Sequence, residues 1–146
     1  MSNTVTLSDC FKFKQQNEYF KIFCNICKEQ SDFVYNTKIY KSPNVLIIVL
    51  NRWKNNIYNI KLDFDLQMDI SEFVLSKDGK QIYNLYGVIT LLGKSGPNAH
   101  FVASCKSPVD GIWYRYNDAL VDPIKDLQKD MFNFGTPYIL FYEKQN

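Results

Sequence analysis

The sequence has little of what marks secreted or membrane proteins. Its four cysteines, at positions 10, 24, 27 and 105, are too few and too unevenly spaced for a secreted disulfide framework. It has no run of about 18 apolar residues, the length that spans a membrane. Residues 1–14 also lack the apolar stretch of a secretory signal. These absences predict an intracellular protein with no membrane partner.

Charge of one sign is not concentrated anywhere. The 17 basic and 15 acidic residues give a formal net charge of +2 and are spread along the chain. Nucleic-acid-binding arms carry blocks of basic residues, so the sequence predicts no nucleic-acid partner. Apolar residues are plentiful: 46% are hydrophobic and 16% aromatic, enough for one packed core in 146 residues.

The spacing of apolar residues predicts an α+β domain dominated by an antiparallel sheet. A short helix is expected within residues 4–16, with Thr6 or Ser8 as its cap. Alternation at 19–23 and 33–40 predicts a long hairpin with a tight knuckle, residues 24–27, at its tip. Residues 45–50, a β-branched run after Pro43, predict a central core strand buried on both faces. The remaining predicted elements are strands at 58–64, 82–92, 100–105, 112–116 and 138–142, a helical turn at 70–75, a helix at 126–132, and loops at 77–80, 93–97 and 107–111.

The only histidine, His100, opens one predicted strand, and another strand is followed by Asn117 and Asp118. An amide or carboxylate at the end of a neighbouring strand can hold an imidazole in one tautomer, as the third member of a catalytic triad does. In cysteine proteases the thiolate and imidazolium form an ion pair, so a neutral asparagine can orient the ring almost as usefully as aspartate. Two other interpretations stay open: a lone histidine is most often structural, and Asn117-Asp118 also fits an Asx turn.

Seven short motifs in a fixed order give the sequence a resemblance to a known family. In order they are Cys24-x-x-Cys27, Pro43-Asn-Val-Leu46, Leu50-Asn-Arg52-Trp53, Tyr83-x-Leu85-Tyr86-Gly-Val88, His100-Phe101, Trp113-x-x-Tyr116-Asn117-Asp118 and Tyr138-Ile-Leu-Phe-Tyr142. From about Thr6 to Glu143 the sequence resembles the carboxyl-terminal half of the catalytic domain of ubiquitin-specific proteases, the ubiquitin carboxyl-terminal hydrolases.

The resemblance implies a papain-like cysteine protease fold, described in this family as fingers, palm and thumb. Residues from about 4 to 42 would belong to the fingers, and residues 43–146 to the palm with its antiparallel sheet. The thumb, which carries the cysteine box, would be absent from these 146 residues. The implied activity is thiol-dependent hydrolysis of the isopeptide or peptide bond after the C-terminal glycine of ubiquitin.

By the same resemblance, His100 matches the family's general base and Asn117 the residue that orients it. Asp118 matches a second acidic position that supports the histidine or the oxyanion. Ala99, Phe101 and Tyr114 match residues near the channel for the terminal Gly-Gly of ubiquitin. These roles are expectations carried over position by position.

Three departures from the family pattern bear on activity. No cysteine box occurs in the sequence, and Cys105 lies five residues along the strand that His100 begins, too far to pair with it. Ala99 stands where the family usually has glycine, and the added methyl would narrow the channel. The histidine that the family tends to carry near Leu91 or Leu92 is missing. We expect the isolated chain to be inactive because the nucleophilic cysteine is missing, and the other two departures predict reduced activity or an unusual substrate.

Cys24 and Cys27 are expected to be half of a metal site. Structural zinc needs four ligands, and this family supplies two Cys-x-x-Cys pairs. The sequence has one pair. The resemblance therefore predicts no cofactor for catalysis, and a structural zinc only if a second pair comes from elsewhere.

The function predicted on these grounds is that of a deubiquitinase fragment. Its expected partners are ubiquitin or ubiquitin conjugates and the missing amino-terminal half of the domain. Apolar sheet surface left uncovered would also favour self-association. The alternative hypothesis is a catalytically dead ubiquitin-binding or scaffold module. A third hypothesis is an unrelated adaptor protein built on a β-sheet.

Overall fold

A computed structural model describes residues 4–52, 60–76, 79–93 and 99–145 of the protein. None of its helices has the length and apolarity needed to cross a membrane in these ranges. The elements, in chain order, are β1 (Thr4–Thr6), α1 (Leu7–Lys14), β2 (Glu18–Phe23), β3 (Gln30–Tyr35), β4 (Val45–Val49), β5 (Lys61–Asp63), β6 (Gln67–Asp69), a 3₁₀ turn (Ser71–Phe73), β7 (Ile82–Leu92), β8 (His100–Lys106), β9 (Trp113–Asn117), β10 (Leu120–Ile124), α2 (Leu127–Phe134) and β11 (Thr136–Lys144).

Among the described residues, seven strands form the main sheet. Its order is β10-β9-β8-β7-β11-β4, and β6 pairs with the start of β7. Every pairing in this sheet is antiparallel. The prediction of an α+β domain built on an antiparallel sheet is confirmed.

The short helix α1 begins where the sequence predicted. Thr6 is its N-cap: the Thr6 hydroxyl accepts a hydrogen bond from the Asp9 backbone N–H, and the Asp9 carboxylate accepts one from the Thr6 backbone. This reciprocal capping box satisfies two donors that the first turn would otherwise leave unpaired. Leu7 is buried against the core, so the cap also fixes the side of the sheet on which the helix lies.

The core lies on one face of the main sheet. Two fully buried tyrosines anchor it, and each hydroxyl donates to a backbone carbonyl: Tyr142 to Asp65 at 2.8 Å, and Tyr83 to Pro43. Both bonds satisfy a polar group that would be costly to bury alone. The buried apolar side chains packed with them include Leu7, Leu62, Ile70, Phe73, Val74, Leu85, Val88, Leu127 and Leu140.

The prediction that residues 45–50 form the central strand, buried on both faces, is wrong. The strand β4 lies at the end of the sheet and pairs, within the described residues, only with β11. Val45, Ile47 and Val49 are 44%, 55% and 60% exposed, while Leu46 and Ile48 pack against the core. A continuous apolar run shows that both faces of a strand are apolar, but the described residues cover only one face of β4.

The face of the sheet on which Val45, Ile47 and Val49 are exposed is defined here as the open face. Residues directly opposite one another in a ladder share a face, and the registers place Ile47, Phe141 and Gly87 in one row across three strands. Val49, Ile139, Ile89, Ala103 and Tyr116 form the next row.

Most other predicted elements are present. The strand predicted at 82–92 has those bounds, the hairpin β2–β3 carries residues 24–27 at its tip, and the helical turn, the helix α2 and the last strand are found. The short strands β1, β6 and β10 were not predicted. Part of the predicted strand at 58–64 lies outside the described residues, as do parts of the predicted loops at 77–80 and 93–97.

Candidate functional site

His100 is the first residue of β8, at one end of the main sheet. Its backbone lies opposite Leu92, the last residue of β7. The side chain is 42% exposed, so the ring is held by the sheet on one side and reachable on the other. A strand end is well suited to such a group because the ladder fixes the backbone while the ring lies at the rim.

Asn117 ends the neighbouring strand β9 and contacts the histidine. The two atoms in contact, His100 Nε2 and Asn117 Oδ1, are 2.6 Å apart. An amide oxygen can only accept a hydrogen bond, so in this arrangement Nε2 carries the proton. The neutral ring then has its free lone pair on Nδ1, which can accept a proton from a reacting group. The structure therefore brings together the two residues that the sequence paired.

Asp118 follows directly, in the two-residue turn that joins β9 to β10. Its φ of 52° lies in the left-handed region, which aspartate tolerates better than most residues. The carboxylate Oδ2 is 3.8 Å from His100 Nε2, and the side chain is 85% exposed. Solvent screens a pair of this kind, so the electrostatic attraction between the two side chains is weak.

The three predicted channel residues are placed differently. Ala99 directly precedes His100. Phe101 follows it and points to the opposite face, where its ring is tilted against Tyr138 with centroids 5.3 Å apart. Tyr114 lies opposite Cys105, at the other end of β8, and its hydroxyl donates to Asp110 Oδ2 at 2.9 Å. The structure thus places Ala99 and Phe101 beside His100 but not Tyr114, whose role in the channel stays a prediction.

None of the four cysteines is among the hydrogen-bonding or ion-pair partners found for His100 in the described residues. Cys105 is five residues further along β8, roughly 16 Å at the usual rise of a strand, and faces the other way. Burial raises the pKa of the Cys105 thiol above its ordinary value, which disfavours the thiolate. Burial, and then the nearby Asp9 carboxylate, likewise raise the pKa of Cys10 in α1.

A charged pair that the sequence did not predict links β9 to α2. Arg115, two residues before Asn117, makes an ion pair with Asp130 of α2 through Nη2 and Oδ1. The guanidinium also lies over the ring of Phe134, 3.5 Å from its centroid. Strand alternation, which puts residues 115 and 117 on one face, was the signal that could have pointed to Arg115.

Cys24 and Cys27 form a knuckle at the tip of the β2–β3 hairpin. The Cys24 backbone N–H donates to Glu29 O and the Lys28 N–H donates to Cys24 O, each at 2.8 Å. Backbone N–H groups of Cys27 and Ile26 hold the pKa of the Cys24 thiol below its ordinary value. This favours the thiolate, the form that binds metal.

The knuckle does not by itself fit a structural zinc ion. Zinc in such sites takes four ligands, and the described residues contain no group of three or more histidine, cysteine, aspartate or glutamate side chains that could hold a metal. The two thiols are half of the required set.

Comparison with known proteins gives a consistent result. The family model described as ubiquitin carboxyl-terminal hydrolase matches residues 1–142. Ubiquitin carboxyl-terminal hydrolase 2 of Bos taurus is 30% identical over 149 residues, covering 95% of this chain and 24% of the relative. Ubiquitin carboxyl-terminal hydrolase 12 of Saccharomyces cerevisiae is 27% identical over 155 residues, covering 98% of this chain and 12% of the relative. The chain thus spans less than a quarter of either relative.

Solved structures show the same fold. A chain of the SAGA Ubp8/Sgf11/Sus1/Sgf73 DUB module bound to ubiquitin aldehyde superposes with a TM-score of 0.77 and 22% identity, over 98% of this chain and 35% of that one. A chain of a yeast SAGA DUB module gives a TM-score of 0.77 at 23% identity with the same coverage. The predicted papain-like fold class is thereby confirmed.

Proposed function

Since the chain belongs to the ubiquitin carboxyl-terminal hydrolase family, we propose that it supplies the histidine half of a thiol-dependent deubiquitinase. The bond cleaved would be the isopeptide or peptide bond after the C-terminal glycine of ubiquitin. The nucleophilic cysteine would come from a segment outside these 146 residues, because none of the four cysteines present contacts His100 in the described residues.

The observation that carries this proposal is the bond between His100 Nε2 and Asn117 Oδ1. With the proton held on Nε2, Nδ1 takes the thiol proton, and the thiolate attacks the glycine carbonyl carbon. The imidazolium then gives that proton to the departing lysine amine as the C–N bond breaks. Water, deprotonated by the same nitrogen, hydrolyses the thioester and restores the thiol.

The domain assignment follows the same proposal. Residues of about 4–42, with the β2–β3 hairpin, would be the fingers segment, and residues 43–146 the palm. Ala99 and Phe101, which flank His100, would line the channel for the Gly-Gly tail, and Ala99 would narrow it relative to glycine. Cys24 and Cys27 would be two of four zinc ligands, completed by a pair outside the chain.

A chimera tests the proposal directly. In the bovine hydrolase, the aligned segment is replaced by residues 1–146, and release of a fluorophore from the C-terminus of ubiquitin is followed. We expect turnover, with His100→Ala lowering kcat/KM by about 10²- to 10⁴-fold, the usual contribution of a general base. Asn117→Ala should lower it by roughly 10- to 100-fold through misorientation of the ring. A folded chimera whose kcat/KM is unchanged by His100→Ala would refute the proposal.

A second measurement separates the rival functions. Ubiquitin is titrated into the 15N-labelled 146-residue chain and amide shifts are followed by NMR. Binding together with an inactive, folded chimera would indicate a ubiquitin-binding scaffold that has lost catalysis. Absence of shifts at millimolar ubiquitin would favour an unrelated adaptor sheet.

A further inference from the structure

The end of β9 that carries Asn117 is weakly held by the sheet itself. The ladder between β8 and β9 runs from the Lys106–Trp113 pair to the Ala103–Tyr116 pair, so Asn117 lies one residue beyond it. On the other side Asn117 pairs with Leu120 of β10, an outer strand whose residues Leu120 and Val121 are 65% and 53% exposed. Ladder contacts alone therefore leave the position of Asn117 relative to His100 poorly determined.

The Arg115–Asp130 pair supplies the missing restraint. Side chains two apart on a strand share a face, so Arg115 lies on the Asn117 side of β9. Its guanidinium meets the Asp130 carboxylate and stacks on Phe134, and both partners belong to α2. The helix in turn packs on β7 and β11 at the middle of the sheet. The pair thus connects β9, the second strand from one edge, to the middle of the sheet.

We propose that Arg115 and Asp130 are positioning residues that hold Asn117 within hydrogen-bonding distance of His100. The side chains are only 16% and 22% exposed, so water screens the pair little. A planar guanidinium fixed by a carboxylate and an aromatic ring has a defined direction, which apolar contacts do not provide. The consequence for catalysis rests on the proposed deubiquitinase function, whereas the positioning itself does not.

The pair is poorly explained as a source of stability alone. Arg115 Nε and Asp130 Oδ2 are buried without a hydrogen-bond partner, and desolvating charges offsets much of what an ion pair gains. Its geometry therefore contributes more to orientation than to the stability of the fold.

The single histidine makes the test specific, because the ring 15N shifts of the labelled chain come from His100 alone. These shifts report the ratio of the Nε2–H to the Nδ1–H tautomer. Asn117→Ala defines the ratio without the orienting bond. We expect Asp130→Asn to move the ratio at least halfway from the wild-type value to the Asn117→Ala value. Arg115→Lys, which keeps the charge but loses the planar fork, should move it less.

Two controls separate positioning from general loosening. Lys129→Gln changes the charge of α2 at an exposed neighbour of Asp130 and should leave the ratio at the wild-type value. Tyr142→Phe removes a buried hydrogen bond at a distance from the site and should lower stability without changing the ratio. If Asp130→Asn does not fold, Arg115→Lys carries the same comparison.

A wild-type tautomer ratio in folded Asp130→Asn and Arg115→Lys would overturn the positioning role. That outcome differs from failure of the proposed function. The proposed function is refuted if the chimera releases the fluorophore from ubiquitin equally fast with and without His100→Ala, whatever the ring shifts show. In an active chimera, Asp130→Asn should lower kcat more than it raises KM, because ubiquitin contacts are unchanged.

Discussion

Gly135 is the position where the smallest substitution should have a large effect. It links α2 to β11, and a methyl group built on it would lie 2.6 Å from the carbonyl oxygen of Leu91. The same methyl would be 2.8 Å from side-chain carbons of Leu92 and Thr90. Real Cβ atoms do not approach other atoms this closely, so Gly135→Ala requires the structure to shift.

The size of the effect follows from what would have to move. Leu91 O belongs to the backbone of β7, which is bonded to β8 and β11 on either side and cannot shift alone. Overpacking of this kind costs about 1–3 kcal/mol of stability. Alanine also lowers the conformational entropy of the unfolded chain, which stabilises a protein by about 0.4–1 kcal/mol, but only where the native geometry is unstrained. We expect a loss of about 2 kcal/mol, or roughly 4–8 °C in Tm for a chain of this size.

Urea denaturation of the 146-residue chain, followed by circular dichroism, measures the loss. Gly111→Ala is the matched control: Gly111 has φ 73° but open space around it, so only backbone strain of about 1 kcal/mol applies. Because Leu92 lies opposite His100, Gly135→Ala should also shift the His100 ring signals, while Gly111→Ala should not. A loss for Gly135→Ala no larger than that for Gly111→Ala would show the close-contact reasoning to be wrong.

Three further predictions follow from the described contacts. Tyr142→Phe should cost about 1–2 kcal/mol by leaving the Asp65 carbonyl without its donor, whereas Tyr19→Phe, 75% exposed, should be neutral in the same denaturation assay. The Cys24 pKa is lowered and the Cys105 pKa raised, so at neutral pH Cys24 has more thiolate and should be alkylated by iodoacetamide well before Cys105; equal rates in peptide mass spectrometry would contradict this. Self-association through the open face should weaken in Ile47→Lys but not in Tyr40→Lys, because Tyr40 is 80% exposed and lies outside the open face. Light scattering that finds the wild-type chain monomeric at every concentration would exclude this self-association.

The sequence predicted those parts of the fold in which local pattern and tertiary environment agree. Residues 82–92 are rich in β-branched and aromatic residues and are bounded by turn signals, and they form β7 with those limits. The pairing of His100 with Asn117 followed from two strand ends joined by a turn-rich loop, and the ladder of β8 with β9 brings them together.

The errors come from information that is not local. The run at 45–50 looks the same whether its second face meets another layer or solvent, so its place at the edge could not be read from the sequence. The strands β1 and β6 have three residues each, too few for any period to be visible. The partner of Arg115 is fifteen residues away on a helix, and no pattern in the sequence specifies that contact.

In the proposed function, the residues that orient the histidine and the residue that supplies the nucleophile belong to different segments. Within the described residues, β7 lies opposite the backbone of His100, and Asn117 and Asp118 approach its Nε2. By our proposal, α2 restrains Asn117 through Arg115 and Asp130. Rigid elements hold a functional group more accurately than loops do. A thiol from another segment would therefore meet a ring whose tautomer is already set, and the ring would not need to reorient before it accepts the proton. If this reasoning is right, the ring shifts of His100 should be the same in the isolated chain and in the chimera, and a change on adding the cysteine-bearing segment would refute it.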